Sequence, residues 1–139
     1  MNKPKVILDT NVVYAGLYSS KGASYKILQQ IVRSRLTLVL STTLLFEYED
    51  VLKRHQVLLG LTSSEIDAFL DEMCSHSQYQ PVHFLWRPQL SDPKDDHLLE
   101  LAVASSQVPL VTYNTQDFVA SKPFGIKVIT PKQLLEELR

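Results

Sequence analysis

A chain of 139 residues, 45% hydrophobic and 21% charged, has the material to bury about two thirds of its unfolded surface in one domain without staples. A formal net charge of -1 excludes polycation character, so any nucleic-acid contact must come from local patches. One cysteine, Cys74, excludes an internal disulfide and a multi-cysteine zinc site, and no apolar segment is long enough for a signal core or a membrane span. The expectation is one cytoplasmic domain over residues 1–139.

Val6, Ile7 and Leu8 read as a strand covered on both faces, and the run ends at a carboxylate, Asp9. An unpaired buried Asp would cost several kcal/mol, at least ~2, so Asp9 belongs at the strand's exit facing a partner. Thr10 or Asn11 is placed to cap a helix starting at Val12, and Ser19–Ser24 (SSKGAS) reads as a loop. Ala23, Ile27, Leu28 and Ile31 recur at helical spacing, with Arg33 and Arg35 expected in the last turn. Leu36–Leu40 is a second strand, followed by possible caps at Ser41, Thr42 and Thr43. The next helix carries its stripe on Leu44, Tyr48, Val51, Leu52 and His55.

Thr62 and Glu65 form a capping box ahead of a helix with Ile66, Phe69, Leu70 and Met73 inside. From Gln78 to Lys94 the period lapses into an irregular or partly extended crossing marked by Pro81, Pro88 and Pro93. It resumes at Leu98, Leu99, Ala102 and Val103, behind Asp92, Asp95 and Asp96. Pro109–Tyr113 reads as a strand, Asn114–Phe118 as a polar turn and Ile126–Ile129 as the last strand. Thr130, Pro131 and Gln133 then cap a closing helix. Alternating strands and helices predict a three-layer α/β/α sandwich with a mostly parallel central sheet.

Parallel strands put their carboxyl ends on one edge, where ligands bind, so Asp9 and Asp117 should converge, joined by Asp96 if its helix starts there. Clustered carboxylates push protons back on unless a cation intervenes. Oxygen donors without cysteine or grouped histidine favour magnesium or manganese over zinc. Such ions support phosphodiester chemistry. Ordinary explanations compete for several of these residues: Asp92 as a turn residue before Pro93, Asp95 as a helix-start acid, Asp117 and Asn114 as Asx turns; Asp96 is ambiguous on its own, and Asp9, behind an all-apolar run, is the hardest to explain so. On the helix from Leu44 to Arg54, both Glu47 and Glu49 flank the apolar stripe, and spacing does not choose between them; Asp50 points to solvent. Cys74 reads as a packed small hydrophobe and His97 as a surface residue of the first helical turn. A phospho-aspartyl chemistry at Asp9 would need a second acid two residues on, where Asn11 stands.

VILDTNVVYAGL, LLFEYEDVL, DPKDDHLLELA and LVTYNTQDF, in this order and spacing, resemble the PIN-domain family, in particular the VapC-like toxins, over Val6 to about Ile129. The resemblance implies metal-binding and catalytic acids at Asp9, Glu47, Asp96 and Asp117, with Thr112 and Asn114 as polar helpers; Asn11, in the DTN triplet, is a third supporting group. Many family members have Asp where this chain has Asn114. The resemblance further implies a magnesium- or manganese-dependent ribonuclease acting on RNA, often a homodimer and, for the toxins, neutralised by a small antitoxin protein. The alternative is an inert module of the same fold that binds protein or RNA. Lys21, in the loop expected near the Asp9 edge, and Lys94, beside the acidic cluster, are the RNA-contact candidates, with Lys53 and Arg54 behind them. Phe84 and Trp86 are expected in the core or a dimer interface, with stacking on RNA bases, beside Arg87, as the alternative.

Overall fold

The computed structural model describes residues 3–83 and 95–138. In chain order these form β1 (Lys5–Leu8), α1 (Thr10–Tyr18), α2 (Ala23–Val32), β2 (Thr37–Leu40), α3 (Thr42–Arg54), α4 (Gln56–Leu59), α5 (Ser63–Ser75), β3 (Ser77–Tyr79), α6 (Asp96–Ala104), β4 (Leu110–Val111), a 3-10 segment (Thr115–Phe124), β5 (Val128–Ile129) and α7 (Pro131–Glu137). Among the described residues the five strands make one sheet in the order β3-β2-β1-β4-β5, and every pairing is parallel. Val6, Ile7 and Leu8 of the central strand are fully buried, so neighbours to either side of the pleat are covered, as in the expected α/β/α sandwich. α2 packs on α1 and α7, while α3 packs on α1, α5 and α6. Among the described residues no helix is long and apolar enough to cross a membrane.

Helix punctuation follows local chemistry. The capping boxes at Thr62/Glu65 and Thr130/Gln133 are both formed, with Pro131 at the start of α7, and Ser41 caps α3 by accepting from the Leu44 N–H. The first helix differs from expectation: it starts at Thr10, and Asp9 itself occupies the N-cap position with its side chain turned elsewhere. Arg33 lies at the C-cap of α2, and Arg35 follows a turn in which Ser34 takes a positive φ of 59°. β4 is shorter than Pro109–Tyr113, because only Leu110 and Val111 find partners on both sides.

The polar turn at Asn114–Phe118 is the start of the longer 3-10 segment, which kinks at Phe118 and buries that ring. β3 was not expected. Its Ser-Gln-Tyr sequence has no apolar period, yet it pairs with β2 as a polar sheet edge, continued by the Gln80 N–H donating to the Leu40 carbonyl at 2.8 Å. Cys74 is exposed rather than packed, because the buried stripe of α5 runs through Ile66, Leu70 and Met73 and leaves it at the margin. The crossing from Gln78 is described only as far as His83. Phe84, Trp86, Arg87, Pro88, Asp92, Pro93 and Lys94 lie outside the described residues.

Candidate active site

The sheet register creates the site. The Asp9 N–H donates to the Val111 carbonyl and the Thr112 N–H to the Ile129 carbonyl, both at 2.9 Å, so Asp9 and Thr112 leave adjacent strands side by side at the carboxyl edge. The buried Thr112 hydroxyl donates to Asp9 Oδ2 at 2.7 Å. The same oxygen accepts from the Asn114 backbone N–H at 3.1 Å and lies 3.4 Å from Asn11 Nδ2. One hydroxyl therefore ties together Asp9, Asn11 and Asn114, three of the sequence-expected positions. The Asn114 side chain itself is exposed.

Helix α3 enters this edge through a buried anchor. Tyr48 is fully buried, and its hydroxyl donates to the Leu8 carbonyl at the end of β1. That bond fixes the helix against the strand one residue before Asp9, and it fixes Glu47, the residue before Tyr48. Glu47 Oε2 accepts from the Thr10 hydroxyl. Glu49 is turned away into an exposed ion-pair network with Lys53, which lies 3.1 Å from it and 2.7 Å from Asp67, and Asp50 pairs with Arg54 in solvent. Of the two glutamates that spacing left open, Glu47 is thus the one at the carboxyl edge.

α6 brings the third contribution. Asp96, in its first turn, is 1% exposed, and His97 is 7% exposed, not the surface residue expected. His97 Nε2 lies 3.5 Å from Glu47 Oε1, and neither ring nitrogen has a hydrogen-bond partner. Asp95 holds the N-cap position without capping through its side chain. Asp117 is half-buried in the 3-10 segment, its N–H donating to the Asn114 carbonyl at 3.0 Å. Among the described residues no hydrogen bond or ion pair joins it to Asp9 or Glu47. Lys21 is exposed in the loop before α2. That loop is held near the site's edge by the Ser24 hydroxyl, 2.6 Å from the Tyr113 hydroxyl, one residue past Thr112.

Electrostatics separate the two neighbouring carboxylates, Asp9 and Glu47. Burial raises the Asp9 pKa above its ordinary value, and the nearby Glu47 charge adds to this, against the opposing Thr112 bond. Burial acts the same way on Glu47, but His97 and the Thr10 hydroxyl outweigh it and hold that carboxyl below its ordinary range. Asn11 Oδ1 is buried with no donor, as are the His97 nitrogens with no partner. Orphaned buried polar atoms around a carboxylate pair are costly unless a further polar group is taken up there. Oxygen donors of this kind fit a hard divalent cation. Among the described residues, however, no three His, Cys, Asp or Glu side chains stand as a finished cage.

Sequence reasoning missed three residues here. Thr10 was weighed only as a cap and Tyr48 only as core, and their partners are 37 and 40 residues away along the chain, beyond any local pattern. His97 was missed because an amphipathic reading reserves a wet face that the first turns of α6 do not have.

A chain of the crystal structure of VapBC2 from Rickettsia felis bound to a DNA fragment from their promoter matches with a TM-score of 0.62 and 14% identity, covering 91% of this chain and 98% of that one, a likeness of fold. No curated protein sequence matches. A family model described as the PIN domain matches residues 5–116, a stretch that contains Asp9, Glu47, Asp96 and Thr112. Matched over that extent, the chain belongs to the PIN-domain family.

Proposed function

We propose that this protein is a divalent-metal-dependent endoribonuclease whose principal ligands are Asp9 and Glu47, completed by Asp96, with Asp117 supporting a second ion or the attacking water. The observation that carries it is the buried Asp9 carboxylate beside Glu47 at the carboxyl edge of a parallel sheet, with orphaned polar atoms around the pair. A bound magnesium or manganese ion supplies the Lewis acidity that makes water a nucleophile toward phosphorus at neutral pH. Thr112 orients Asp9 through Oδ2, Thr10 orients Glu47 through Oε2, and Tyr48 sets the distance between their elements. Asn11 and Asn114 steady the Thr112 hydroxyl. Lys21 is assigned to phosphate contact, and Lys94, on sequence alone, to the same task.

The fold likeness to the VapBC2 structure is in keeping with a toxin of a toxin–antitoxin pair, with a small antitoxin protein as partner; a cytoplasmic setting and a homodimeric state are part of the same proposal and rest on the family resemblance of the sequence motifs. The decisive assay is cleavage of RNA by clean preparations of wild type and Asp9→Asn in Mg2+ or Mn2+. Cleavage should vanish in the variant while its circular dichroism is unchanged; equal cleavage by both refutes the assignment. A small reading frame beside the gene, encoding a DNA-binding partner, is the expected mark of the toxin role.

The absence of a finished three-ligand cage among the described residues favours one other reading, an inert PIN-fold module that binds protein or RNA. Calorimetric titration with Mn2+ separates them. The module predicts neither heat of binding nor thermal stabilisation at millimolar metal.

A further inference from the structure

His97 is a buried imidazole that faces Glu47 without closing a hydrogen bond. Among the described residues neither ring nitrogen has a hydrogen bond of ordinary geometry, and its side chain is 8% exposed. An unpartnered polar group at that depth is destabilising unless something fills its valence. His97 Nε2 lies 3.5 Å from Glu47 Oε1, beyond the usual 2.7–3.2 Å of an N–H···O bond. Glu47 Oε2 is already engaged by Thr10, so the free oxygen of this carboxylate is the one aimed at the ring. Two donors 3.5 Å apart are spaced poorly for each other and well for a third body between them. With ligand bonds of about 2.1 Å, a cation touching both would see them about 110° apart, an ordinary ligand–metal–ligand angle.

We infer that His97 Nε2 is a nitrogen ligand of the cation held by Glu47, and that it biases the site toward a first-row transition ion over Mg2+. This rests on the metal-site reading above, and it concerns the choice of ion rather than the presence of one. Carboxylate and water ligands suit magnesium and manganese alike, whereas an imidazole ligand adds affinity along the first-row series, in which manganese is the weakest binder and so the most stringent ion to test against magnesium. The Glu47–His97 pair is the part of the shell already in place. Asp9 is the buried carboxylate at hand to complete it, although among the described residues no three such side chains stand as a finished cage.

The test uses the full chain and two metals. Mn2+ and Mg2+ affinities are measured by calorimetry for wild type, His97→Phe and His97→Gln, with thermal unfolding to confirm that each folds. Pulsed electron paramagnetic resonance of the Mn2+ complexes then reports nitrogen coordination. Wild type should bind Mn2+ at least tenfold more tightly than Mg2+ and show 14N modulation from a directly bound imidazole. Both variants should lose the modulation and at least tenfold in Mn2+ affinity, with Mg2+ affinity changed less than threefold. Mn2+ bound without nitrogen modulation, or equal losses for both metals, overturns the inference while leaving the acidic metal site standing. If wild type binds neither ion, or Asp9→Asn binds Mn2+ as tightly as wild type, the metal-site reading falls and this inference with it. If His97→Phe does not fold, the His97→Gln measurements decide.

Discussion

Asp9→Asn should invert in its effect on stability when metal is added. Asn keeps the shape and can accept the Thr112 hydroxyl's bond, so the exchange removes the charge and little else. Asp9 is 8% exposed, and burial followed by Glu47 raises its pKa. Each unit of such a rise corresponds to about 1.4 kcal/mol. The sign follows from linkage. A carboxyl with a raised folded-state pKa contributes stability that is complete below its unfolded value, 3.8, and lost as pH rises through the folded value. In chelator at pH 7 the wild type has lost that contribution and Asn has not, so Asp9→Asn should melt higher, by roughly 3–5 °C per kcal/mol for a chain of this size. The gap should close as pH falls toward 4. With Mn2+ at 100 times its Kd the wild type gains about 2.7 kcal/mol and the variant almost nothing, so the ranking reverses. Thermal unfolding of both proteins from pH 4 to 7, with chelator and with Mn2+, reads all of this. A variant less stable than wild type in chelator at pH 7, or an order unchanged by metal, would refute the reasoning.

Tyr48→Phe removes the buried donor to the Leu8 carbonyl and should cost about 1–3 kcal/mol, seen as a lower Tm in the absence of metal, with weaker Mn2+ binding because Glu47 is the adjacent residue. Gly16→Ala places a methyl 2.5 Å from Leu28 Cδ1 and 3.2 Å from the Ser24 backbone, so α1 and α2 must part; urea unfolding should show about 1–3 kcal/mol of destabilisation. Lys21→Ala should leave folding unchanged and lower the salt slope of single-stranded RNA binding by about 0.7, measured in the cleavage-dead Asp9→Asn background. An unchanged slope there removes Lys21 from the RNA path.

The elements that sequence reading located well are those whose signals are local. The two capping boxes each need only residues three apart, and the strand around Val6–Leu8 is apolar on both sides of its pleat. The elements it missed have their cause elsewhere in the chain. β3 is a strand because β2 offers it a parallel edge, and nothing in Ser77–Tyr79 announces that. Cys74 stands four residues after the buried Leu70, but four steps turn a helix about 400°, and the extra 40° carries it past the margin of a narrow stripe.

The site divides along the same line. Asp9 is legible because a charge at the end of an all-apolar run demands a partner, but the partner's identity comes from register. Asp9 meets Thr112 because β1 pairs Leu8 with Val111; a slip of one residue would set Asp9 beside Val111 or the exposed Tyr113 and leave a buried carboxylate without a donor. Glu47 and Glu49 are equivalent on a helical wheel. They are separated by a hydroxyl 37 residues upstream on one side and a lysine four residues downstream on the other. α6 defeats the wheel altogether. From Asp96 to Ala102 every residue is buried, including Asp96, His97 and Glu100, so the polar residues there do not form a solvated face. A helix start that combines acid and imidazole with continuous burial is stable only if those groups are satisfied by protein partners or by a ligand. That makes the first turn of α6, as much as Asp9, the place where the function of this chain is to be tested.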